Sequence, residues 1–374
     1  QQFRFGAISA VSEVEGVDAA EFEAALRLRP GTVYSPQDVE ANITRLENLA
    51  LKKGLNFVSI EPVVTRNERD RSLDIAFTLK RGPKVFVERI DIEGNTTTLD
   101  QVVRRQFRTV EGDPFNAREI RQSAARIRAL GYFADAKVNA EPGNSPDQVV
   151  VNVDVEEQPT GSLSFGASYG VSSGVGFNIG LQETNFLGRG QTVGLAISTG
   201  SNSTDSSITF IEPSFLGRDL KFKFNAFYRE SDNENASYDT RLIGIVPAIE
   251  FPISENGRLE LRAFAKQSKL TDVFAGTVDD PATPEDETDI ATTPIIKRDA
   301  DRGALLSTGV GLTYSYDTRV NGLNPRGGML FRFGVDYAGM GGDIDSVTTT
   351  ALALAETRVW NEEVTLSAIS EGGP

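Results

Sequence analysis

Residues Thr160-Gly161-Ser162-Leu163-Ser164-Phe165-Gly166-Ala167-Ser168-Tyr169-Gly170 alternate from end to end. Successive side chains of a strand point to opposite sides. Leu163, Phe165, Ala167 and Tyr169 therefore share one face, and Ser162, Ser164, Gly166 and Ser168 the other. The pattern recurs downstream. Val175, Phe177, Ile179 and Leu181 oppose Gly176, Asn178, Gly180 and Gln182. Phe222, Phe224 and Ala226 oppose Lys221, Lys223 and Asn225. Met329, Phe331, Phe333, Val335 and Tyr337 oppose Leu330, Arg332, Gly334 and Asp336. Residues 159–374 thus read as an antiparallel succession of strands joined by polar turns, ten strands and the start of an eleventh.

Alternation alone fits two architectures. In a soluble sandwich the inner faces pack on each other. In a membrane barrel lipid takes the apolar face and the lumen is polar. The connections separate the two. One set (185–190, 213–218, 251–257, 324–328) is mostly compact, with repeated aromatics and Gly-Arg pairs. The other set (201–205, 230–237, 269–303, 339–346) is longer and polar. Up-and-down strands put each set on its own side, and short turns opposite long loops are the mark of an outer-membrane barrel. The acidic stretch 269–303 reads as a solvated loop. It lacks the spaced aspartates and glycine of an EF-hand, so a calcium site there is the weaker reading.

Upstream, helical periodicity replaces alternation, and the chain repeats itself. Residues 1–82 and 83–158 are two copies of a β-α-α-β-β unit. Each opens with a strand (3–8 and 85–92) followed by a poorly periodic helix (18–28 and 98–108). A turn follows in which Gly31 matches Gly112 and Tyr34 matches Phe115. The second helix is the best signed. Ser35 is a good N-cap, Pro36 suits the first helical position and Asp38 the positive end. Val39, Ile43, Leu46 and Leu49 form its apolar stripe. In the second copy Asn116 caps, with Glu119 placed for a capping box. Ile120, Ala124, Ile127 and Leu130 form the stripe. Gly54 and Gly131 end the helices as left-handed residues. Strands at 57–65 and 71–80, then 133–141 and 147–156, close the units.

Composition narrows the chemistry. The chain has 374 residues, a net charge of −15, no His and no Cys. That excludes disulfides, thiolate and imidazole nucleophile systems, and imidazole metal sites. No global positive field exists to neutralise phosphates, so nucleic acid is not an expected partner. No signal peptide and no apolar run long enough for a transmembrane helix is read, which leaves strands to cross a membrane.

The order and spacing of several motifs resemble the BamA family of outer-membrane assembly factors. Arg89-Ile90-Asp91-Ile92-Glu93-Gly94-Asn95-Thr96 resembles the opening of a POTRA module of that family. Arg104-Arg105-Gln106-Phe107-Arg108-Thr109-Val110-Glu111-Gly112 resembles the helix and turn that follow, and Leu130-Gly131-Tyr132-Phe133 the end of the second helix. Thr160–Gly166 looks like entry into the first barrel strand and 185–190 like the first periplasmic turn. The fold expected is α+β, two POTRA modules, followed by an antiparallel transmembrane β-barrel that is incomplete in this chain. The Val-Arg-Gly-Phe loop motif and the aromatic last strand of the family are not present, so an internal fragment is expected.

The resemblance implies a non-enzymatic role without cofactors: insertion of unfolded β-barrel clients into the outer membrane, with the modules in the periplasm. Its lateral seam falls on Ser162, Leu163, Ser164, Phe165, Gly166, Ala167, Ser168, Tyr169 and Gly170. Gly161, Gly166 and Gly170 loosen that strand, or simply help it bend. The resemblance also implies docking of an accessory lipoprotein at Arg104 and Glu111, against the plainer reading of a solvated ion pair. Arg118, Arg121, Arg126 and Arg128 make the second helix basic, either as a solvated face or toward acidic lipid headgroups or a partner. Alternatives are a secretion or translocation pore of the TamA or two-partner exporter type, an outer-membrane phospholipase or glycosidase, and a purely structural barrel or adhesin.

Overall fold

The computed structural model describes residues 3–373 except 56, 83, 171–173, 233–237, 255, 274–293, 320–326 and 360–363. The chain forms two compact units. One holds Gln1–Thr96 and Asp100–Gln158; the other holds Thr97–Leu99 and Pro159–Pro374.

The first unit contains both repeats. The first repeat runs β1 (Arg4–Ser12), α1 (Ala19–Ala24), α2 (Pro36–Lys52), β2 (Val58–Asn67) and β3 (Ser72–Arg81). The second runs β4 (Phe86–Glu93), α3 (Asp100–Arg104), α4 (Ala117–Ala129), β5 (Phe133–Pro142) and β6 (Gln148–Glu157). In each, the last strand is central, parallel to the first and antiparallel to the other, in the orders β1-β3-β2 and β4-β6-β5. The matched glycines do the same job. Gly31 (φ +84) and Gly112 (φ +91) each donate a backbone N–H at 2.7 Å, to Phe5 and Val87 respectively.

Local sequence explains the long helices. Ser35 Oγ accepts the Asp38 N–H at 3.2 Å, with Pro36 at the start of α2. Asn116 Oδ1 accepts the Arg118 and Glu119 N–H groups. The expected capping box is only half formed, because Glu119 turns along the helix to Arg126 Nη2 at 2.6 Å. Gly54 and Gly131 are left-handed, at φ +74 and +75. The apolar stripes enter two separate cores. Val39, Ile43 and Leu46 join Phe5, Phe77 and Leu79, while Ile120 and Ile127 join Val87, Val102, Val103 and Val151.

The first helices are shorter than expected. Beyond Arg104, the Gln106 and Phe107 N–H groups bond three residues back, to Val103 and Arg104. Beyond Ala24, Ala25 and Leu26 do the same to Phe22 and Glu23. Tightened turns of this kind end a helix without a strong cap, and here they carry Phe107 into the core.

The second unit is an eleven-stranded antiparallel sheet in chain order. Its strands are β7 (Gly161–Gly170), β8 (Gly174–Phe186), β9 (Gln191–Thr199), β10 (Ser203–Glu212), β11 (Lys221–Ser231), β12 (Asp239–Pro252) and β13 (Gly257–Thr271). After α5 (Pro294–Asp301) come β14 (Leu305–Asp317), β15 (Gly327–Ala338), β16 (Ser346–Val359) and β17 (Val364–Gly372). The eleventh strand is thus a full nine residues. The loop asymmetry is partial. Only residues 200–202 separate β9 from β10, on the side expected to be long, because Ser203–Asp205 belong to the strand. The opposite turn after β10 carries a 3-10 turn at Phe215–Gly217. Among the expected connections, 233–237, 255, 274–293 and 324–326 lie outside the described residues.

Register places Leu163, Leu181, Leu195 and Ile208 in one outward row, and Ser164, Gly180, Ala196 and Ser207 in an inward one. Phe165 and Tyr169 are 73% and 77% exposed. Both hydrophobic core clusters found among the described residues lie in the modules. A soluble sandwich would bury the outward face against a second sheet; this sheet leaves it open, as a lipid-facing wall must. Aromatic residues gather at the compact-turn end, where Phe210, Phe215 and Phe222 are in contact, as in the girdle of a membrane barrel. Residues Thr97–Leu99 belong to this unit through that same end. Asn185, 6% exposed, donates to Thr98 Oγ1 and accepts the Gly190 N–H, each at 2.8 Å.

Candidate functional site

Strand β7 carries every seam residue named from the sequence. It pairs with β8 from Gly161↔Glu183 to Gly170↔Gly174, and with no other strand among the described residues. Its second edge therefore presents backbone N–H and C=O groups to whatever lies beside it. Of the inward pairs, Ser164↔Gly180, Gly166↔Asn178 and Ser168↔Gly176 each set a glycine against a small polar side chain, and Ser162 faces Gln182. The side-chain bond across them is a long one, Ser164 Oγ to the Gly180 carbonyl at 3.4 Å. Cross-strand side-chain pairs supply much of a sheet's cohesion. On its inward face β7 is held to β8 mainly by backbone, while its outward pairs, Leu163↔Leu181, Phe165↔Ile179, Ala167↔Phe177 and Tyr169↔Val175, are apolar.

Further round the sheet the inward face changes character. Lys221 Nζ lies 3.4 Å from Glu250 Oε1, and Lys223 contacts both Glu250 and, at 2.9 Å, Glu260. Arg258 Nη1 is 3.4 Å from Glu250. Arg262 then bridges Glu260 at 3.3 Å and Asp336 at 2.7 Å, and donates to Thr313 Oγ1 at 2.5 Å. The chain of ion pairs runs from β11 to β15. No ion pair joins β7, β8 or β9 among the described residues. The wall thus has a tied region and a loosely held edge. Sequence reasoning missed this belt. Its lysines and arginines were visible on the polar faces, but only strand register brings Arg262 to Asp336.

Arg104 and Glu111 do meet, Nη1 to Oε1 at 3.0 Å. Arg104 Nη2 also donates to the Ile90 carbonyl at 2.8 Å, and Glu111 Oε1 accepts the Ile90 N–H at 3.2 Å. The pair clamps α3 and its following turn onto β4. The Ile90 N–H first, and Arg104 second, hold the Glu111 carboxyl below the usual glutamate range. Both side chains remain about half exposed.

The basic face of α4 is largely spoken for. Arg118 binds Glu40 and Glu47, Arg126 binds Glu119 and the Gln106 carbonyl, and Arg128 donates to the Ala136 carbonyl. Three of the four arginines therefore serve the protein itself, which leaves little of the face for lipid headgroups.

The Omp85 superfamily domain matches residues 185–372. The chain belongs to the Omp85 superfamily. POTRA, the surface antigen variable number repeat, matches residues 3–82 and 85–158. Among Omp85 relatives, the outer membrane protein assembly factor BamA of Neisseria meningitidis serogroup B is 27% identical over 271 residues, 71% of this chain and 34% of that protein. BamA of Neorickettsia risticii is 25% identical over 377 residues, 100% of this chain and 48% of that protein. The chain thus spans less than half the length of these curated relatives. In fold it is similar to BamA from Haemophilus ducreyi lacking POTRA domains 1-3, with a TM-score of 0.58 and 20% identity, covering 99% of this chain and 70% of that one. CdiB from Acinetobacter baumannii has a TM-score of 0.52 at 14% identity, covering 100% of this chain and 69% of that one. As in its Omp85 relatives, the sheet is outer-membrane wall and the POTRA modules are periplasmic.

Proposed function

We propose that the protein to which this chain belongs inserts β-barrel proteins into the outer membrane by offering β7 as a template. The observation that carries this is the glycine and serine inner face of β7, whose inward pairing with β8 holds one long side-chain bond. An incoming strand gains main-chain hydrogen bonds along an open edge, as in other β-augmentation. A template strand with few polar side-chain ties on its inward face can tilt toward the client at little cost there. No covalent step, and no cofactor, is needed.

Cysteines placed singly at Ser162, Ser164 or Ser168 test this, in a complete protein whose cysteines outside these 374 residues, which contain none, have been replaced. During assembly, the complete protein should form disulfides with a cysteine-bearing client strand in one register. Random or absent crosslinking sinks the template. Depletion should lower many outer-membrane barrels together. The second reading is a secretion or translocation pore of the TamA or two-partner exporter type. Loss of a single exported substrate on depletion would establish it.

Arg104 and Glu111 supply the docking point for an accessory lipoprotein of the assembly complex in this reading. Their half-exposed position on one turn of the second module supports it. Glu111→Lys should release the lipoprotein from the purified complex, and an unchanged complex rules the site out.

A further inference from the structure

Helix α4 of the second module reaches helix α2 of the first through contacts that neither core requires. Arg118 Nη2 lies 2.9 Å from Glu47 Oε1, and its Nε 3.3 Å from Glu40 Oε2. One turn further along α4, Gln122 Nε2 donates to Thr44 Oγ1 at 3.3 Å. Residues 40, 44 and 47 follow one stripe of α2, and 118 and 122 one stripe of α4, as helical spacing requires. A third contact lies at the linker, where Phe57 and Phe86 meet edge-on with ring centroids 5.1 Å apart.

The arginine is not a solvated surface residue. Its side chain keeps 12% exposure and that of Glu47 14%. Its Nη1 is buried with no hydrogen-bond partner among the described residues. Taking a guanidinium out of water and leaving one nitrogen unpaired is costly, so the geometry is maintained at a loss that the two carboxylates must offset. Three separated contacts, two along the helices and one at the linker, restrain both bending and twisting between the modules.

We propose that Arg118 is the latch that makes the two POTRA modules one stiff arm, so that a displacement of one is carried to the other. The latch depends on the charge pair with α2. The module cores persist without it.

Spin labels on Glu68→Cys in the first module and Asn139→Cys in the second, both exposed, read the distance between modules in the complete protein in lipid nanodiscs. The unsubstituted arm should give one narrow distance distribution. Arg118→Ala should widen it at least twofold. Arg118→Glu should widen it as well, and adding Glu47→Arg to that variant should restore the narrow distribution. That rescue separates a lost ion pair from a damaged fold. A narrow distribution in Arg118→Ala, a broad one in the unsubstituted protein, or widening without rescue each overturns the latch.

Discussion

Gly94 stands at φ +91, and a Cβ there would lie 1.9 Å from the Val155 carbonyl oxygen. Gly112 has the same φ, but a Cβ there would meet open space. Gly94→Ala is therefore expected to cost about 3 kcal/mol, from clash and strain together. Gly112→Ala should cost about 1–2 kcal/mol, from strain alone. Thermal unfolding of the two variants checks the order. Both glycines are plain in the sequence, but the reason for Gly94 is not, since its obstacle arrives from β6, about sixty residues later. Titration separates two glutamates in the same way. Glu111 has a folded pKa below its unfolded one, so its contribution is present above the usual glutamate range and is lost as pH falls through the folded value. The pair is half exposed, so less than about 1 kcal/mol is at stake. Glu111→Gln should flatten that acid limb in hydrogen exchange of α3. Burial raises the Glu47 carboxyl against the opposing pull of Arg118. The folded state then takes up this proton at higher pH than the unfolded chain. Acidification through the range just above an ordinary glutamate should favour the fold, and Glu47→Gln should remove that step.

Among the elements, the sequence made α2 and α4 legible because their signals are local: a cap, a proline, an apolar stripe and a closing glycine. The short helices α1 and α3 end where bonding tightens to three residues back, and no residue type announces that. The strands were legible for the same reason as the long helices, since alternation is a local pattern. Their pairing was not, so the belt from Lys221 to Asp336 stayed hidden until register joined its members. Arg262 is the belt's pivot, at 16% side-chain exposure between Glu260 and Asp336. Arg262→Leu leaves two carboxylates without their shared cation. It is expected to cost about 2–3 kcal/mol, short of a fully buried pair because the inward face is partly wet. The measurement is the temperature at which the folded band is lost in heat-modifiability gels of the complete protein, and an unshifted midpoint refutes the pivot role. The seam residues 162–170 were named on resemblance, and they lie on β7, where glycine faces serine or asparagine in three of the inward pairs.

At the scale of the whole molecule, stability is divided between two kinds of construction. The modules have dry cores with Phe22, Leu46, Phe77, Ile127 and Val151 essentially inaccessible. The sheet has none of comparable size among the described residues, and relies on ladder bonds, on an apolar face turned to lipid, and on the inward ion pairs. Detergents that strip lipid should therefore unsettle the sheet before the modules, and limited proteolysis in a harsh detergent should leave a fragment of residues 3–158 intact longest. The uneven tying of the sheet carries a mechanical corollary. Pulled from Gly161, β7 and its two successors should unzip one by one at low force, like the teeth of a fastener. Rupture should then slow at β10, which Asp205 ties to Arg229 of β11 at 3.0 Å, and proceed in a larger, single rip once the load reaches strands riveted together by Glu250, Glu260 and Asp336.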